Sequence, residues 1–311
     1  MNAPNGESPD PRTDPRMESI APGVHAFMQP DGSWGLSNAG LVFNDNAVVL
    51  IDTWFTERRN TILREMVTAT APRPPTLLIN THHHGDHVYG NGWFPEALVV
   101  SHEETRDCVL RLDSAVSAHR FADVQFGETR PTPADLTFRT DLQFHLGDTV
   151  LEVFYPGVAH CVGNTGVYLR EQRTLFAGDL LLKDCTPSFS GGSAVGYLPV
   201  LQRLRELGAK RIVPGHGPIC GPEIIDETER YLRYVLDLAA AALADGRTPL
   251  EAAQVADLSQ FPGWRDHERL VGNLYRACAE LAPDGVTFPV DTSAMWRDTE
   301  AFLGDRMRSM A

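Results

Sequence analysis

The residues best equipped for chemistry stand together at Thr81-His82-His83-His84-Gly85-Asp86-His87. Side chains two apart on an extended segment point to the same side, so His82 and His84 can share one metal ion. Gly85 lets the chain turn into a helix, and Asp86 and His87 on that turn can reach a second ion. Imidazole and carboxylate suit zinc, and other divalent transition metals as well. Farther along, His160 follows an apolar strand and a Pro-Gly loop, Asp179 completes Ala177-Gly178-Asp179, and His216 lies within Pro214-Gly215-His216-Gly217. Each is read as sitting just past a strand, next to a glycine that permits a sharp turn. Loops at strand ends are where rigid scaffolds carry functional side chains. A lone loop histidine or aspartate is more often simply solvated; their coincidence points to a metal centre. His83 alternates to the opposite face and reads as a supporting residue. His25, His102, His119, His145 and His267 fit no motif and read as structural or surface residues.

The elements that must position these residues come in two rounds. Short strands are expected over Gly23–Met28, Leu36–Phe43, Ala47–Ile51 and Thr76–Asn80, with helices over Thr56–Ala69 and Glu103–Leu112. Ser114–Thr140 reads as an irregular insertion outside the core and, like the Gly- and Ser-rich Lys183–Tyr197, as a candidate pocket wall. A second set of strands follows at Leu142–Leu146, Thr149–Tyr155, Gly166–Leu169, Thr174–Ala177 and Arg211–Val213. A helix over Leu198–Leu207 is capped by Gly208. Beyond Pro222 the chain turns helical, over Ile224–Asp245, Pro249–Val255 and the amphipathic Asp266–Leu281. Strands and then helix, twice over, predict an α/β (α+β) architecture of sheets packed face to face with helices outside. The expected organisation is a disordered leader over residues 1–16, a catalytic domain over 17–221 and a helical extension over 222–311.

A chain of 311 residues can bury a sizeable core without staples. Its net charge of −14 argues against nucleic acid, whose phosphates require clustered Lys and Arg. The five cysteines are scattered and form no CxxC pair, so neither a disulfide framework nor a zinc ribbon is expected. The Pro- and Asp-rich N-terminus has no apolar run, and no stretch approaches the roughly 20 apolar residues of a membrane span. A cytoplasmic protein with no membrane partner is the expectation.

H-x-H-x-D-H (His82, His84, Asp86, His87) followed by His160, Asp179 and His216 resembles the metallo-β-lactamase superfamily. Asp52, in Ile51-Asp52-Thr53, is similar to that family's first motif, and the resemblance covers roughly Val24 to Pro218. It implies an αββα sandwich carrying two zinc ions at one sheet edge. His82, His84 and His160 would hold the first, Asp86, His87 and His216 the second, and Asp179 would bridge them. Asp52 would brace the loop without ligating. Two such ions can bring the pKa of a shared water to about 7 and polarise a carbonyl. Asp86 would orient that water, making Asp86 and Asp179 the catalytic acids.

A bridging Asp179 resembles the thioesterase, lactonase and glyoxalase II branches. It sets the chain apart from zinc β-lactamases, which usually lack that acid and require export. His84 favours zinc over the iron-type relatives. A finer resemblance links Gln29–Trp34, Asn38–Gly40, Thr81–Asn91 and Glu268–Asn273 to second-ring cyclases of type II aromatic polyketide pathways. That implies aldol closure of a ring with loss of water and thioester cleavage on a carrier-bound intermediate. The alternative is a generic hydrolase of small thioesters or lactones. A non-catalytic binding module is the reading from a different class, and the full ligand set speaks against it. Trp34 reads either as a packing plug or as a flat wall for an aromatic substrate. Lys183 and Tyr197 are candidates to bind a substrate oxygen. The helical tail offers either a cap over the pocket or a face for a homodimer.

Overall fold

The computed structural model describes residues 14–121, 123–282 and 290–311. Two sheets form its centre. The first takes seven strands in chain order: β1 (Arg16–Ala21), β2 (Val24–Met28), β3 (Ala39–Phe43), β4 (Val48–Ile51), β5 (Leu77–Ile79), β6 (Leu98–His102) and β7 (Leu136–Phe138). The second runs β12-β11-β10-β9-β8, built from β8 (Asp141–Leu146), β9 (Thr149–Phe154), β10 (Gly166–Leu169), β11 (Thr174–Leu182) and β12 (Arg211–His216).

The period-two alternation of the strands assigns each residue to a face. Val24, Ala26, Met28, Val42, Val49 and Ile51 pack between the sheets against Leu151, Val153, Val167, Leu169, Phe176 and Val213. Their neighbours Phe27, Leu41, Val48 and Leu50 face outward and meet Leu63 and Val67 of α1 (Glu57–Thr70). On the far side, Tyr168, Leu175 and Ala177 are covered by α5 (Ala194–Glu206), α6 (Glu223–Asp245) and α8 (Arg269–Leu281). Strands covered on both faces read as continuous apolar runs, as Val48–Ile51 does. The order of layers is therefore helix, sheet, sheet, helix, as the strand and helix pattern predicts.

Several expectations need correction. Residues 114–140 are not an insertion outside the core. They supply α4 (Ser114–Arg120) and the edge strand β7, which pairs in parallel with β6, and they bury Phe121, Phe126 and Phe138. Three residues of strand are too few for a periodic signal, and the five of β6 (Leu98–His102) run Leu-Val-Val-Ser-His without alternation. Arg16 opens β1 rather than closing a leader; the disordered leader expected before it falls on residues 1–13, outside the described residues. Ser193 caps α5, which begins at Ala194 rather than Leu198, and Gly208 follows it at φ 64°. A further helix, α9 (Thr292–Leu303), lies past the last expected one. β11 and β12 also run farther than expected, through Asp179 to Leu182 and through to His216. Leu182 pairs with His216 across a register shift at Gly178, so both candidate ligands belong to strands rather than to the loops after them.

Candidate metal centre

β4 and β5 are parallel and in register at Ile51 and Ile79, so the residues following both strands emerge side by side. Such C-terminal strand edges are where open α/β sheets place ligands. Asp52 takes φ 60° there, and its carboxylate accepts from the Thr81 amide at 2.7 Å and the Thr81 hydroxyl at 2.6 Å. That contact pins the start of the histidine run. The chain bends through Thr81, His82 and His83, and His84, with an extended backbone, is the N-cap residue of α2 (Gly85–Val88), where the chain turns. The carbonyl of His87 at the end of that turn accepts from the Thr53 amide at 3.0 Å and from Asn80 Nδ2 at 3.2 Å. Asn38, just before β3, donates through Nδ2 to the carbonyls of Pro214 and Gly217 in the other sheet, holding the chain on both sides of His216.

The structure brings all seven sequence-predicted ligands into two adjoining groups. His82, His84, His160 and Asp179 form one, and Asp86, His87 and His216 the other, with the potential ligand atoms of each within 4.8 Å of one another. Asp179 stands between them. Its Oδ2 lies 3.8 Å from His82 Nε2 and 3.5 Å from His160 Nε2, while Oδ1 lies 3.2 Å from His87 Nε2 and 3.6 Å from His216 Nε2. Asp86 Oδ2 is 3.2 Å from His216 Nε2.

Four of the rings are anchored from behind. His82 Nδ1 donates to Thr81 Oγ1 at 3.1 Å, and His87 Nδ1 to Asp52 Oδ2 at 2.9 Å. His160 Nδ1 donates to the Ser188 carbonyl at 2.6 Å, and His216 Nδ1 to the Gly32 carbonyl at 3.0 Å. A proton fixed on Nδ1 leaves Nε2 as a lone pair aimed at the centre, the arrangement metal-binding histidines adopt. His84 instead offers Nδ1, 2.9 Å from His160 Nε2.

Two tests on the buried atoms agree with a metal site. His82 Nε2, His87 Nε2 and Asp179 Oδ1 are buried without a hydrogen-bond partner among the described residues. Such orphans are costly unless something answers them. The donor chemistry, imidazole and carboxylate only, suits a divalent transition metal. Burial pulls His82, His84 and His160 below the ordinary histidine range, which keeps them neutral and ready to ligate. Burial also opposes a charge on His87, but Asp179, Asp52 and Asp86 outweigh it and raise its pKa. Burial resists ionisation of Asp86 too, yet His87 and His216 pull its carboxyl down to about 2.

A cavity of about 260 Å³ opens onto these residues, with His84, Asp86, His160, Asp179 and His216 on its wall. Trp34 lines it, as a wall would, and its Nε1 donates to Glu268 at 2.6 Å. Lys183 and Tyr197 do not line it. Lys183 is drawn away by Glu227 of α6, at 2.9 and 3.0 Å. Tyr197 is fully buried beneath β11, where its hydroxyl donates to the carbonyls of Asp179 and Leu180. It braces the backbone at Asp179, a candidate ligand, and does not face the cavity. His83 does reach the cavity, contrary to its expected position on the opposite face, because the chain bends at Thr81, His82 and His83 instead of alternating as a strand. Sequence reasoning passed over Phe55, Tyr89, Arg120, Phe121, Arg269 and Trp296, which also line it. Tyr89 and Arg269 lie within the Thr81–Asn91 and Glu268–Asn273 segments, and Arg120 and Phe121 within Ser114–Thr140.

A model of the family described as "Metallo-beta-lactamase superfamily" matches residues 32–216. The chain is 25% identical over 213 residues to a metallo-beta-lactamase type 2 of Bacteroides fragilis, covering 66% of this chain and 79% of that protein. It is 28% identical over 179 residues to the 2,4-dinitroanisole O-demethylase subunit alpha of Nocardioides sp. (strain JS1661), covering 55% of this chain and half of the relative. Among solved structures, the metallo-beta-lactamase from Pontibacter korlensis superposes with a TM-score of 0.58 at 25% identity, covering 71% of this chain and 99% of its own.

Proposed function

The chain belongs to the metallo-beta-lactamase superfamily, and from that premise we propose that it is a two-zinc hydrolase or cyclase acting on an aromatic acyl substrate. The observation that carries the reading is Asp179, whose two oxygens each face a different pair of histidines. One carboxylate so divided suits two ions rather than one. Zinc bound there would supply Lewis acidity toward a carbonyl oxygen and bring the pKa of water toward neutrality.

The chain's own residues do the rest. Asp86, held ionised, orients water against the substrate carbonyl. Trp34, Phe121 and Trp296 offer flat apolar walls that exclude bulk water and favour a ring. The printed name of the Nocardioides relative likewise carries an aromatic compound. Together with the resemblance of the Trp34 and Asn273 segments, these walls support the finer proposal of a polyketide cyclase/thioesterase. In that reaction a carrier-bound polyketone closes its second ring by aldol addition, loses water, and is released as the thioester C–S bond breaks and water supplies the new C–O bond.

The size of the cavity, near the small end for organic ligands, favours a second reading: a hydrolase of small thioesters or lactones. A reducing compartment accompanies either proposal, supported by five unpaired cysteines. No helix among the described residues is long and apolar enough to cross a membrane.

The test is a product assay. Zinc-reconstituted protein is given an acyl-carrier-bound aromatic polyketone, its simple thioester mimic, a small lactone and a β-lactam, each with and without chelator. Mass spectrometry then identifies the products. A chelator-sensitive two-ring product supports cyclisation, and free acid alone supports the small-thioester reading. Turnover confined to the β-lactam would overturn both.

A further inference from the structure

Two arginines line the cavity, and they are not alike. Arg269 is answered: its Nη2 lies 2.8 Å from the carboxylate of Asp266, its Nη1 donates to the Thr186 carbonyl at 3.2 Å, and its guanidinium stacks 4.2 Å from the centre of Trp34. Arg120, the last residue of α4, has no ion pair or hydrogen bond among the described residues. Its guanidinium rests 4.3 Å above the ring of Trp296, half-buried, facing the same cavity. Its placement is not that of a loose surface group. α4 is tied to the metal-site helix by a 2.7 Å hydrogen bond between Ser117 Oγ and the hydroxyl of Tyr89. The next residue, Phe121, packs edge-on against Phe55 at 5.8 Å.

We propose that Arg120 is a specificity-determining residue that receives a carboxylate of the substrate while the reacting carbonyl lies at the metal-ligand end of the cavity. A half-buried cation without a counter-charge is costly, and burial lowers its pKa with only Tyr89 opposing. An incoming anion removes that cost, and the planar guanidinium can bind a carboxylate through two parallel N–H groups. The alternative, that Arg120 merely caps Trp296, gives no preference between charged and neutral ligands. The inference rests on the reading that this cavity holds the substrate, and it narrows the substrate class to acyl compounds bearing a flat apolar part and an acid.

Calorimetric titration of the zinc-reconstituted protein with 2-naphthoate and with the isosteric neutral 2-naphthamide tests it. The wild type should bind naphthoate about tenfold or more tightly than the amide, and Arg120→Gln should abolish that difference while leaving amide affinity nearly unchanged. Arg120→Lys, which keeps the charge but loses the fork, should hold a reduced preference; it also serves if Arg120→Gln does not fold. A preference that persists undiminished in either variant would place the carboxylate on the metals or on Arg269 and overturn the proposal. Equal wild-type affinity for the two ligands would overturn this inference alone. Failure of both to bind would overturn it together with the assignment of the cavity.

Discussion

The carboxylate of Asp52 holds the imidazole of His87 through a 2.9 Å hydrogen bond at Nδ1, and it reaches that position from a backbone at φ 60°. An uncommon conformation for a non-glycine residue is kept because three donors converge on its side chain: the Thr81 amide, the Thr81 hydroxyl and His87. Asp52→Asn should weaken metal binding by about 10–100-fold, the usual effect of losing a partner behind a metal-bound histidine. Competition with a chromophoric chelator measures it, and wild-type affinity in the variant would show that Asp52 only shapes the loop.

Asp179→Asn should lose at least one of two bound metal equivalents and lower turnover by more than about 100-fold. The fold should survive, as read by circular dichroism, because the core lies in the layers around the sheets. Two equivalents of metal in the purified variant would refute the bridging role.

Gly215 lies where a side chain cannot fit. A Cβ there would come within 1.9 Å of Asp179 Oδ1. Gly215→Ala should therefore reproduce much of the metal loss of Asp179→Asn without removing a ligand. Metal content by mass spectrometry decides the matter, and an unaltered stoichiometry would mean that the strand shifts to make room.

Tyr197→Phe leaves the carbonyls of Asp179 and Leu180 without the donor they share at 3.0 and 2.7 Å. Thermal unfolding should reveal a loss of about 1–3 kcal/mol, the cost of stranding buried acceptors. The KM for substrate should be little affected, since the hydroxyl does not face the cavity. A large rise in KM at unchanged stability would restore Tyr197 as a substrate contact.

Burial, then His160 and Arg111, bring the pKa of His83 from 6.5 to about 4. The unfolded chain thus takes up a proton near pH 6.5 that the folded chain refuses until about pH 4. The associated stability is complete above pH 6.5 and is lost as pH falls toward 4. In chelator-treated protein, His83→Gln should make the acid-side loss of stability shallower, by up to about 1.4 kcal/mol per pH unit. Urea unfolding across pH 4–7 measures the slopes, and identical slopes would exclude His83 as a contributor.

The helices were the more legible part of the fold. α1 and α6 are long enough for their apolar positions to recur several times, and Thr56 and Gly246 mark a boundary of each. β6, β7 and α4 left little trace because each is short and owes its conformation to the neighbours it packs against. Ser114–Thr140 could be read as a pocket wall, but not which of its side chains reach the cavity: Arg120 and Phe121 do so from α4 and the residue after it.

The sequence by itself determined which residues could ligate a metal. The H-x-H-x-D-H spacing of His82, His84, Asp86 and His87 and the glycines beside Asp86, Asp179 and His216 are local features, readable over a few residues. Which of them share an ion, and what stands opposite, only the tertiary structure decided. Asp179 divides its oxygens between two sets of histidines because β11 faces the end of β5 across the sandwich. Trp34, Arg120 and Trp296 meet over one cavity although they come from distant parts of the chain. No local rule couples such residues; the packing of α4 and α9 around the strand ends brings them together.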